Sequence, residues 1–203
     1  MDGVLYGLTR EDLEDDAGMT GRVATLLLVV SGPPGSGKTT IAREAASRLG
    51  VAFVSKDTFK EVLYELFGSG EDVEPLIEEA GLRLLLRLAD AQLDAGIPFI
   101  VESNFDAPSD LGPVLDLARR HDVRLVQLYV RPRTEVLLKR FAERAASGER
   151  HPGHGDEPED VEEVRRDLEA GRWNPLELPG ELIEIDPDDE SFSLDDLVER
   201  LGR

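Results

Sequence analysis

The 203-residue sequence contains no cysteine, which excludes disulfides, thiolate zinc sites, iron–sulfur clusters and a cysteine nucleophile. Lysine is nearly absent too: Lys38, Lys56, Lys60 and Lys139 are the only four among 23 basic residues. Long apolar runs are missing. The longest, Leu26 to Val30, falls far short of the ~20 residues a membrane span requires, and the acidic N-terminus lacks the positive region of a secretory signal. A cytoplasmic protein with no membrane partner is expected. Positive charge is in deficit, with 23 basic against 43 acidic residues for a net charge of −20, so the surface repels phosphate backbones unless cations are gathered in one place. Nucleic acid is therefore a disfavoured partner. What is present is ordinary: 40% hydrophobic residues, enough for a chain of this length to bury roughly 70% of its unfolded surface in one core.

Residues 1–24 are acidic and weakly periodic and are expected to form an extension outside a domain spanning 25–203. From Thr25 to Ser31 a continuous apolar run predicts a parallel strand buried on both faces. Thr39–Leu49 has helical spacing and is closed by Gly50. Strands are then predicted at Val51–Ser55, Phe99–Glu102, Arg124–Val130 and Leu182–Asp186. Helices are predicted at Phe59–Phe67, Pro75–Ala95, Asp110–His121, Thr134–Ser147 and Pro158–Ala170, with a last one capped by Ser193. Gly148 to Asp156, rich in Gly, Pro and His, reads as the tip of a mobile surface hairpin, with Trp173 anchoring its return. The alternation predicts an α/β fold, a doubly wound, mostly parallel five-stranded sheet between helical layers, with ligands at the carboxyl ends of the strands.

Gly32-Pro-Pro-Gly35-Ser36-Gly37-Lys38-Thr39 matches Gly, any four, Gly-Lys-Ser/Thr, and lies between a buried strand and a helix, where such a loop binds phosphate. Composition frequencies put accidental matches at about three in a thousand. Glycines let backbone N–H groups turn toward phosphate oxygens, and the helix start aims about half a positive charge at them. Lys38 adds a compact ammonium, Thr39 a hydroxyl for Mg²⁺, and Thr40 a donor to a neighbouring phosphate. ATP and Mg²⁺ are the expected cofactors.

A GTPase would carry Asp-x-x-Gly after this loop and a guanine motif. The only Asp-x-x-Gly, Asp15 to Gly18, precedes the loop, and a strand ending Asp-Glu, as motor ATPases have, is also missing. Instead, Ser55-Lys56-Asp57-Thr58-Phe59-Lys60 follows the second strand and sets a carboxylate at the active edge of the sheet. Asp57 is the candidate general base, worth about 10²–10⁴ in rate when positioned, or alternatively a helix cap. Lys60, one turn on, is placed to hold the acceptor. A GTPase and a motor excluded, the residues point to a kinase.

The phosphate loop, Asp57-x-x-Lys60, the strand end Val101-Glu-Ser-Asn-Phe105 and the arginine-rich segment after strand four resemble the small P-loop kinase superfamily, over roughly Leu26 to Leu201. The likeness runs to kinases near chloramphenicol phosphotransferase, zeta toxins and polynucleotide 5′-hydroxyl kinase domains. It implies a P-loop NTPase sheet of the nucleoside-monophosphate-kinase type, in the order 2-3-1-4-5, with a mobile lid over about 140–172 and Mg-ATP as donor. It implies that Glu102 orients a magnesium-bound water, although a buried glutamate satisfied by the backbone reads equally well, and that Asn104 faces the acceptor or serves a turn. Arg140, Arg144 and Arg150 resemble lid arginines that clamp the transferred phosphoryl group or stack on adenine; the alternative is solvated arginines paired with Glu143 or Glu149. Adenine is implied to rest on Pro187–Phe192. The expected activity is transfer of the γ-phosphoryl of ATP to a hydroxyl of a small molecule. The alternatives are a polynucleotide 5′-hydroxyl kinase and a non-catalytic module that senses ATP.

Overall fold

The computed structural model describes residues 24–147, 151–154 and 160–203. The expected acidic extension therefore lies, all but Ala24, outside the described residues. Five strands, β1 (Thr25–Ser31), β2 (Ala52–Ser55), β3 (Phe99–Glu102), β4 (Val123–Val130) and β5 (Glu181–Ile185), form one all-parallel sheet in the order β2-β3-β1-β4-β5. That is the expected fold and strand order. Successive side chains of β1 point to opposite faces, and both faces are covered. Leu27 and Val29 pack with Leu85, Ala89, Leu93, Val114 and Leu117 from helices α3 (Glu74–Asp94) and α4 (Ala107–Arg120). Leu26, Leu28 and Val30 pack with Ile41, Ala42 and Ala46 of α1 (Lys38–Leu49) and with Leu197 and Leu201 of α7 (Leu194–Leu201). Fully burying one such aliphatic side chain contributes about 1.5–3 kcal/mol.

The remaining helices lie around the active edge: α2 (Lys56–Phe67), α5 (Thr134–Ser147) and α6 (Val161–Glu169). Helices α5 and α6 build a cluster of their own from Leu137, Leu138, Phe141, Val164 and Leu168, and Trp173 joins it, 8% exposed, just after α6. Two helices start three residues earlier than the periodicity suggested, and polar side chains explain both. At α2 the Ser55 hydroxyl accepts the Asp57 N–H at 3.2 Å, so Lys56 and Asp57 stand in the first turn rather than in a loop. At α4 the Asp110 carboxylate accepts the Asp106 N–H at 3.0 Å and Pro108 fits the first turn, which starts the helix at Ala107 instead of Asp110. Helix α6 begins at Val161; Pro158 lies outside the described residues.

Candidate active site

Parallel pairing brings the carboxyl ends of three strands into a row. Glu102 at the end of β3 is in register with Val30 of β1 and Ser55 of β2, and neighbouring strands lie about 4.8 Å apart. The Gly32–Thr39 loop, Glu102 and the start of α2 therefore share one edge, although 70 residues of chain separate the first from the second.

Gly32, with φ +143°, lies so close to β4 that a Cβ there would sit 2.2 Å from the Val130 carbonyl oxygen. Only glycine fits. Gly35 and Gly37 also have positive φ; a Cβ on Gly37 would meet nothing within 4 Å, and Gly37 gives α1 no side-chain cap. The first turn of α1 is thus left for an outside acceptor. Ser36 supports that fit, because its hydroxyl is buried and makes no hydrogen bond, a donor that a phosphate oxygen would satisfy. Thr40 stands exposed in the same first turn.

Lys38 is buried, its ammonium 3.4 Å from the Pro33 carbonyl oxygen and 3.6 Å from Glu102 Oε1. Thr39 donates its hydroxyl hydrogen to Glu102 Oε2 at 3.1 Å. Glu102, 2% exposed, is thus held by two side chains of the phosphate loop, and backbone donors are not among its described hydrogen bonds. A hydroxyl and a carboxylate side by side are hard oxygen ligands of the kind Mg²⁺ takes alongside phosphate oxygens. When bound there, such an ion neutralises charge that develops between transferring phosphates.

Asp57 is half-buried in the first turn of α2, two residues past Ser55, and the capping role the sequence left open for it belongs to Ser55. Lys60 pairs with Glu78 of α3, and Lys56 holds the same carboxylate at 2.8 Å. The two lysine stems lie over Gly81, where a Cβ would come within 3.1 Å of the Lys60 chain. Burial pushes the Glu78 carboxyl up, but the two ammonium groups outweigh it and hold it below the ordinary value of 4.5.

Beyond Glu102 the chain turns sharply. Phe105 is 1% exposed and adopts φ +49°, a strain of about 1–3 kcal/mol for a side chain without local compensation, here held by burial in the core. The turn sets Asn104 and Asp106 into the wall of a cavity of about 680 Å³, bounded also by α3, by Lys56 of α2 and by Arg172 and Trp173 after α6. Arg172 ties these parts together, donating to Asp106 at 3.2 Å and to Asp167 at 2.6 Å. Both carboxylates raise its pKa. Nothing in the sequence marked Arg172, Asp106 or Glu78 as wall residues, because no spacing records which charges the fold will bring together, such as Arg172 and Asp106, 66 positions apart.

The arginines expected in a lid separate. Arg140 donates to Asp188 at 2.6 Å, in the loop after β5 where adenine was expected. The Arg144 guanidinium sits 5.5 Å above the Phe141 ring. Arg150 lies outside the described residues. The stretch Pro152–His154 forms a short 3₁₀ turn against α2: the Tyr64 and His151 rings meet edge to face with centroids 5.5 Å apart, and His151 Nε2 lies 3.6 Å from Glu65.

Over residues 27–169 the sequence matches the family described as "AAA domain". It is 38% identical over 79 residues to a cytidylate kinase of Ignicoccus hospitalis, a match covering 37% of this chain and 38% of that one. It is 43% identical over 76 residues to a shikimate kinase of Saccharopolyspora erythraea, covering 34% of this chain and 42% of the other. Both matches thus span less than half of the curated relatives. A solved structure from Chloroflexus aurantiacus, described as a candidate kinase, superimposes with a TM-score of 0.78 at 31% identity, over 88% of this chain and 97% of the other. No described helix is long and apolar enough to cross a membrane.

Proposed function

The chain belongs to the AAA-domain family matched over residues 27–169, in the P-loop kinase superfamily, and from that premise we propose that it is an ATP- and Mg²⁺-dependent kinase whose acceptor is a hydroxyl of a small molecule. The observation that carries the reading is the trio Lys38, Thr39 and Glu102 at the mouth of the glycine loop, beside a cavity large enough for a metabolite. Gly32, Gly35, Ser36, Gly37 and Thr40 complete the phosphate cradle. Thr39 and Glu102 would hold Mg²⁺.

In the proposed reaction the acceptor oxygen bonds to the γ-phosphorus as the bond from phosphorus to the β–γ bridging oxygen breaks. ADP leaves with that electron pair, and the hydroxyl proton passes to Asp57. The ammonium of Lys38 offsets charge on the transferring phosphates, and Arg140 and Arg144 stand on α5, the helix that enters the lid over about 140–172. Because Arg140 reaches the loop after β5, we assign it to the adenine side and Arg144, one turn on, to the phosphates. Asn104, in the cavity wall, contacts the acceptor. Lys60 is reassigned: its ammonium holds Glu78, so it fixes α2 on α3 and shapes the cavity from behind.

The test is Asp57→Asn. Transfer of label from γ-labelled ATP is expected to fall about 10²–10⁴-fold with nucleotide affinity unchanged. Transfer at the parental rate removes Asp57 as the base, and nucleotide capture without any transfer by the parent leaves only a sensing module.

A further inference from the structure

The cavity beside Asn104 is polar at its rim, and each charge there already has a partner. Of its lining residues three are cations (Lys56, Arg83, Arg172) and four are carboxylates (Glu78, Glu79, Asp106, Asp110), a balance of 3 − 4 = −1. Lys56 pairs with Glu78 at 2.8 Å, Arg83 with Glu79 at 2.5 Å, and Arg172 with Asp106 at 3.2 Å. Lys60, although not in the wall, shares Glu78, and Asp167, also outside it, shares Arg172, so the balance stays at one negative charge. The fork of Arg172 is committed on both sides, to Asp106 and to Asp167. Asp110, 7% exposed, accepts from the Asp106 N–H at 3.0 Å and from the Ser109 hydroxyl at 2.8 Å.

An anionic acceptor would add its charge to a wall whose balance is already negative, and at Arg172 or Lys56 it would share the cation with a carboxylate already in place. A cationic acceptor, in turn, finds every carboxylate already paired or hydrogen-bonded. What such a wall still offers is hydrogen-bonding capacity. Each carboxylate oxygen has more than one lone-pair site, and the Asn104 amide donates and accepts. Hydroxyl groups use that capacity without disturbing any ion pair, and the aliphatic and aromatic surfaces of Leu82, Leu86, Phe105, Pro113 and Trp173 meet the C–H faces of a compact ring or chain. Resting on the kinase reading, we propose that the acceptor is an uncharged polyhydroxyl compound of the sugar, cyclitol or alditol class, bound in this cavity.

The probes are three fractions of a small-molecule cell extract, separated by ion exchange into uncharged, anionic and cationic compounds. Each is incubated with the full chain, Mg²⁺ and γ-labelled ATP. New enzyme-dependent label is expected in the uncharged fraction, and periodate treatment of that fraction, which cleaves vicinal diols, should abolish it. At saturating ATP its rate should change less than about twofold between 0.05 and 0.5 M salt, because no net charge is being screened. Label confined to the anionic or cationic fraction overturns the acceptor class and leaves the kinase standing, as does periodate-resistant label. No label in any fraction, from protein that is still stabilised against heat by ATP, overturns both.

Discussion

Replacing Glu102 by glutamine tests the core of the proposed site, because this carboxylate is the counter-ion of Lys38. At 3.6 Å and an effective dielectric of about 20, the Lys38–Glu102 attraction is about 332/(20 × 3.6), or roughly 4.6 kcal/mol before desolvation. Lys38 keeps the Pro33 carbonyl at 3.4 Å, and a glutamine oxygen can still accept from Thr39, so a net loss of about 2 kcal/mol is expected. For a domain of this size that lowers the Tm by about 4–8 °C. The sign then reverses with ligand. Glu102 competes with phosphate for Lys38, so Glu102→Gln should bind Mg²⁺-free ATP more tightly, by about tenfold, and gain more in Tm from it than the parent does. With Mg²⁺ the advantage should shrink, since a carboxylate ligand has gone, and phosphoryl transfer should fall by at least about 10². Thermal melts by circular dichroism, with and without ATP and with and without Mg²⁺, read all four cells. An apo Tm equal to that of the parent, together with unchanged affinity for Mg²⁺-free ATP, refutes the reasoning.

Gly32→Ala would put a methyl 2.2 Å from the Val130 carbonyl oxygen at φ +143°, so a loss of several kcal/mol, about 3 or more, is expected, seen as a large drop in Tm or in soluble yield. Arg140→Ala removes the link to Asp188 in an exposed setting; stability should change by less than about 1 kcal/mol, whereas KM for ATP should rise with kcat little altered, checked by steady-state kinetics. The Glu78 carboxyl, held below its ordinary 4.5 in the folded chain, binds fewer protons there than when unfolded. Its contribution is therefore full above about pH 4.5 and is lost as acid takes the pH down through the lowered folded value. A Glu78→Gln chain should be less stable than the parent at neutral pH, and the gap should close in acid, as followed by urea melts across pH.

The route of the chain was legible because alternating buried strands and amphipathic helices leave few packings open. Within β1 every residue from Leu26 through Val30 is apolar, and only a strand covered on both faces uses such a run. The glycine loop was legible for a different reason: positive φ, close approach to Val130 and a helix start each demand particular residue types, so the constraint is written locally. Helix starts were read less well at Lys56 and Ala107. There a serine cap, or an aspartate that accepts the N–H of the residue before the helix, sets the start, and periodicity does not register it.

What the sequence determined by itself was the glycine loop and the parallel α/β sheet, since short-range sterics and burial decide these; the strand order was implied only by the resemblance to P-loop kinases. Tertiary structure alone decided which charges meet. It gave Glu102 to Lys38 and Thr39, turned Lys60 toward Glu78, sent Arg140 to Asp188, and closed the cavity wall with Arg172. The physical reason is that an ion pair depends on separation in space, and the fold brings residues 18 to 66 positions apart into contact without leaving a mark on either side of the pair.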